Sequence, residues 1–60
     1  MSNEEKLYNQ YIKYQSKEWI EDIIDWESFD EPNTEVSIKV NFTWGWLRVY
    51  KKYHGEIEWY

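Results

Sequence analysis

Between Asn3 and about Trp26 the chain carries no Gly or Pro, and its apolar positions recur with a helical period. At about 100° per residue Tyr8, Ile12, Trp19, Ile23 and Trp26 fall on one narrow face, flanked by Ile20 and Ile24. Ser2 stands three residues before Glu5, the spacing of a capping box, with Asn3 as an alternative cap. The pattern predicts a helix over about residues 3–27, with Ser16 marking a break if the segment divides into two shorter helices. Residues 28–34 hold Pro32 and turn-forming side chains and read as a loop, with Phe29 tucked back under it.

Beyond the loop the period changes from 3.6 to 2. Val36, Ile38, Val40 and Phe42 alternate with Ser37, Lys39, Asn41 and Thr43, which predicts a strand over about 35–43 with one buried face. A two-residue turn at Trp44-Gly45 would place Phe42 opposite Leu47 and Val40 opposite Val49. A loop of odd length would flip the next strand, about 46–53, and break its apolar face. A three-residue turn at Tyr53-His54-Gly55, with Gly55 in the left-handed position, pairs Lys52 with Glu56 and Val49 with Trp59 in a third strand over about 56–60. The expected fold is α+β: one N-terminal helix packed on a three-stranded antiparallel β-meander. The strand at 36–43 is then an edge, guarded only by Lys39.

Composition sharpens this picture. Sixty residues form one domain, 1–60, which buries only about 60% of its unfolded surface. The chain has no Cys and one His, so disulfides cannot supplement the core and a metal is not expected. Its mass is aromatic instead: five Trp, six Tyr and two Phe, more rings than a short helix and a small sheet can hide. Some must form a binding patch or be covered by a second copy, as in a homodimer. No apolar run approaches the ~20 residues of a membrane span, and residues 1–5 lack the basic and apolar regions of a signal peptide. A cytoplasmic protein is the expectation, including the cytoplasm of a host if the source is a phage.

Charge is distributed unevenly. Residues 1–35 carry ten acids and three bases, hence −7, while residues 36–60 carry four bases and two acids, hence +2. The net −5 weighs against general nucleic-acid binding, which needs a basic footprint. Catalytic chemistry finds little support. His54 sits at a hairpin tip, and Ser2, Ser16, Ser28 and Ser37 have no histidine placed to activate them. Gly45 and Gly55 make no phosphate loop. The carboxylate pairs Glu18/Asp22 and Glu21/Asp25 fall short of the six or more oxygens of a tight cation site. No cofactor and no enzymatic activity are expected.

Two surfaces remain. On the predicted helix Leu7, Tyr11, Tyr14, Glu18, Glu21, Asp22 and Asp25 form a stripe, apolar above and acidic below, extended by Glu27, Asp30, Glu31 and Glu35. Carboxylates three or four residues apart repeat about every 5–6 Å along a helix. Such a ladder could imitate a phosphate backbone and occupy a basic groove of a larger protein, with Tyr11, Tyr14 or Leu7 as anchor. Small acidic chains of this kind suit stoichiometric inhibitors or adaptors, including nucleic-acid mimics of phages and mobile elements. The alternative surface is the outward sheet face, where Lys39, Asn41, Trp46, Arg48, Tyr50 and Lys52 interleave cations and rings near Tyr60. Single-stranded nucleic acid is held by such sets, although Lys39 and Arg48 packing over the rings would consume them.

Overall fold

The capping signature at Ser2 forms as predicted. In the computed structural model, which describes residues 2–60, the Ser2 hydroxyl accepts the Glu5 amide at 3.0 Å and opens α1, Asn3–Lys13. The helix does not continue to residue 27. It ends at Tyr14, and Ser16 starts a second helix, α2 (Lys17–Glu21), by accepting the Trp19 amide at 3.3 Å. A serine hydroxyl that caps a new helix competes with continuation of the old one. The break at Ser16 is real.

The larger departure follows α2. Residues Ile23–Ser28 form a strand, β1, where the apolar spacing predicted helix. The sheet therefore has four strands: β1, β2 (Val36–Phe42), β3 (Gly45–Lys51) and β4 (Ile57–Trp59), antiparallel and in chain order. The strand at 36–42 lies inside the sheet between β1 and β3, and it is not an edge. This strand pairs along the side of β2 that a three-stranded sheet would leave open, and its Ile and Trp residues suit a half-buried strand.

One apolar face is continuous across the strands. Opposite α1 lie Ile38, Val40, Phe42 and Val49, all buried, with Ile23, Trp26, Val36, Leu47 and Ile57 packed around them. From α1 the buried side chains are Leu7 and Tyr11, with Tyr8 and Ile12 beside them. Each fully buried aliphatic side chain of this kind contributes about 1.5–3 kcal/mol.

The hairpin registers test the turn chemistry. The first turn is Thr43-Trp44, so Phe42 pairs with Gly45, Val40 with Leu47 and Ile38 with Val49. This is two residues from the predicted register. A shift of two leaves every side chain on its face, so the apolar surface survives the error. The second turn matches the expectation. Val49 pairs with Trp59, the Lys52 amide donates to the Glu56 carbonyl at 2.8 Å, and Gly55 adopts φ +99°.

Candidate functional site

The division of the predicted helix rearranges the acidic stripe. Tyr11 is fully buried, and its phenol oxygen accepts the Trp19 indole N–H at 2.9 Å, tying α1 to α2. Burial pushes the Tyr11 phenol above its ordinary value, and the bond from Trp19 partly offsets this. Tyr11 is core, not anchor, and so is Leu7. Tyr14 is 69% exposed but stacks on Trp59 of β4, at 6.2 Å between rings, at the far edge of the sheet from β1. Neither tyrosine stands with the acids.

The acids themselves follow one another along α2 and β1, which are consecutive in the chain. Glu18 and Glu21 are exposed on α2, and Asp22 caps its C-terminus while its carbonyl accepts the Thr43 amide at 2.9 Å. Asp25 and Glu27 are exposed on β1, opposite Asn41 and Lys39, and both accept from the Asn41 side-chain amide, at 2.8 and 3.1 Å. Among the described residues no ion pair engages any of these five carboxylates. Asp30 lies beyond the other end of β1, exposed in the connection to β2. Glu31 turns away: it contacts Arg48 at 4.0 Å and accepts the Tyr60 hydroxyl at 2.8 Å.

On the outward sheet face Lys39, Trp46, Arg48, Tyr50 and Lys52 are brought together as predicted by alternation, but they spend themselves on one another. The Arg48 guanidinium lies 4.8 Å from the Trp46 ring centre, 4.7 Å from Tyr60 and 5.8 Å from Phe29, while Lys39 covers Trp46 at 4.6 Å. Tyr50 donates to Glu58 at 2.7 Å, and Lys52 pairs with the same carboxylate at 3.4 Å. That bond is the main reason the Tyr50 phenol is pushed up to about 12. The connection between β1 and β2 folds against this face. Ser37, buried, donates to the Phe29 carbonyl and accepts the Glu31 amide at 3.0 Å, which holds Phe29 and Glu31 beside Arg48. The face thus sets Lys39, Arg48 and Lys52 against Asp25, Glu27, Glu31 and Glu58.

Sequence reasoning missed the apolar surface beside the acids. At the β2–β3 turn Trp44 stacks on Phe42 at 4.5 Å and meets Trp19 at 5.1 Å, yet remains 51% exposed. At the same end of the sheet Ile24 is 65% exposed, in a β-bulge between Ile23 and Asp25. An aromatic in a turn was the available signal. Among the described residues no cluster of His, Asp and Glu could hold a metal ion, and no helix is long and apolar enough to cross a membrane. Comparison with protein-family models, curated proteins and solved structures finds no match.

Proposed function

We propose that this is a small stoichiometric binding protein of the cytoplasm. It presents the acidic margin formed by α2 and β1 to a basic surface of a larger protein, as inhibitor or adaptor. The carrying observation is that Glu18, Glu21, Asp22, Asp25 and Glu27 follow one another along α2 and β1, and that among the described residues none of them forms a salt bridge. Trp44 and Ile24 supply exposed apolar area at one end of it. Charges of one sign speed encounter with an oppositely charged surface, while affinity comes from a few desolvated side chains. Imitation of a nucleic-acid backbone is one form of this activity, and then a DNA duplex competes for the same partner. The reading that places single-stranded nucleic acid on the outward face is weaker, because its rings already hold Lys39 and Arg48.

The test is affinity capture from native cytoplasm, with wild type and with Glu18→Lys, Glu21→Lys and Asp25→Lys combined. The expected result is loss of captured partners by the variant at an unchanged Tm. Retention of the same partners sinks the proposal.

A further inference from the structure

The backbone of β1 has one free side, and its chemistry selects what can pair there. Arg48 and Tyr60 exchange both amide bonds, at 2.8 and 3.0 Å, so Arg48 turns its backbone toward β4. Antiparallel alternation then directs Leu47, Val49 and Lys51 toward β2, in agreement with the Glu35 amide bonding the Lys51 carbonyl at 2.8 Å. Carried one strand further, Ser37, Lys39, Asn41 and Thr43 face β1, and the Thr43 amide bonds Asp22. Asp25 and Glu27, opposite Asn41 and Lys39, therefore spend their backbone groups inside the sheet. Trp26 and Ser28 turn theirs outward, and among the described residues nothing pairs with them.

We propose that this edge accepts a β-strand of a partner protein in which Lys or Arg alternates with apolar residues. The inference rests on the acidic-surface reading and gives it a binding mode. An added strand would bond the N–H and C=O groups of Trp26 and Ser28. Its residue opposite Trp26 falls on the α1 side of the sheet, where Trp26 stacks on Tyr8 at 5.6 Å, and there an apolar side chain is favoured. The residues on either side fall on the outward face, next to Asp25 and Glu27. Opposite charges across a strand pair stabilise it, and like charges oppose it.

Charge also decides against a second copy. Two β1 edges paired antiparallel would bring Asp25 and Glu27 against the same acids. The other free edge, β4, is three residues long with Glu58 outward and Glu56 beside it. Edge charges commonly guard a sheet against stray pairing. A guard of one sign repels only strands of that sign.

The experiment uses the full chain and three short synthetic peptides: alternating Lys and Val, the same residues with the lysines in one block, and alternating Glu and Val. Amide hydrogen exchange and peptide affinity are read by NMR. The alternating Lys peptide should bind best and slow exchange of the Trp26 and Ser28 amides, leaving Ile57 and Trp59 unchanged. Combined Asp25→Lys and Glu27→Lys should weaken that peptide at least about tenfold and favour the Glu peptide instead. Equal binding of both Lys peptides, without protection at Trp26 and Ser28, overturns strand addition and leaves the acidic-surface reading standing. No binding of any Lys peptide also overturns it, whereas the capture experiment judges the broader reading separately. Protection that grows with protein concentration in the absence of peptide places a second copy on the edge and equally overturns the inference.

Discussion

Removing a single oxygen from Tyr11 tests whether the molecule is built as described. Tyr11 is completely buried, its ring meets Trp59 edge-on at 5.2 Å, and its hydroxyl is the acceptor for the Trp19 indole at 2.9 Å. Tyr11→Phe keeps the ring and its packing but leaves the indole N–H without a partner. A buried donor that loses its acceptor costs about 1–3 kcal/mol, and Trp19 is only half-buried, so the lower part of that range, about 1–2 kcal/mol, applies. In a domain this small each kcal/mol lowers Tm by about 4–8 °C. Tyr11→Ala is less informative. Deleting a buried ring costs about 3–5 kcal/mol, while a 60-residue domain has only about 3–9 kcal/mol of stability to lose.

The assay is urea denaturation followed by far-UV circular dichroism, which does not depend on the tryptophans being altered. Tyr11→Phe, Trp19→Phe and the double variant complete a cycle, and the two single losses should couple by about 0.5–1.5 kcal/mol. Additivity within about 0.3 kcal/mol refutes the bond between α1 and α2. Partner capture provides an independent check. Because Tyr11 lies in the core, Tyr11→Phe should capture partners as wild type does below its Tm. Lost capture at undiminished stability would return Tyr11 to the binding surface and defeat the placement.

Two further predictions concern the outward face. Ser37→Ala removes the hydroxyl that serves both the Phe29 carbonyl and the Glu31 amide, so it should cost about 1–3 kcal/mol in denaturation and speed exchange of the Glu31 amide. Tyr50 is held up to about 12 chiefly by its bond to Glu58, and Tyr60 is raised by its bond to Glu31. A raised phenol adds stability that is complete below the ordinary value of 10 and disappears as pH climbs through the folded value, which for Tyr50 means between 10 and about 12. Glu58 is lowered, first by Tyr50 and then, against some burial, by Lys52, so its contribution is present above the ordinary carboxylate value and lost as pH falls through the folded one. Tyr50→Phe should flatten the alkaline loss and shift the Glu58 titration upward, read from phenolate absorbance and carboxylate NMR.

Legibility in the sequence followed how local each determinant is. The Ser2 cap and the Gly55 turn depend on residues within a few positions, and both form in the structure as expected. The sheet face from Val36 to Phe42 was legible because period 2 survives any even slip, and the actual slip at Thr43-Trp44 is even. The candidate site was harder, since exposure is a property of tertiary neighbours. Leu7 and Tyr11 lay beside the apolar helix face rather than on it; because Trp19, Ile23 and Trp26 of that face belong to α2 and β1, α1 packs on β2 and β3 with Leu7 and Tyr11 as its buried line. Glu31 sits among acids in sequence, yet Arg48 and Tyr60, far along the chain, draw it away.

The misassigned segment at 23–28 has a more specific cause. Ile23 and Trp26 are three apart, the spacing that puts two side chains on one side of a helix and on opposite sides of a regular strand. In β1 they share a side nonetheless, because two residues, Ile24 and Asp25, occupy the bulge where β2 supplies only Asn41 between Phe42 and Val40. The bulge restores by one extra residue the phase that a strand would lose. It thereby gives a strand the apolar signature of a helix. Trp26 even stacks on Tyr8, its predicted helix-face companion, though the two now approach from the sheet and from α1. The same extra residue drives Ile24 into solvent and returns Asp25 and Glu27 to the outward face, so the feature that concealed the strand also sets the acids along its edge.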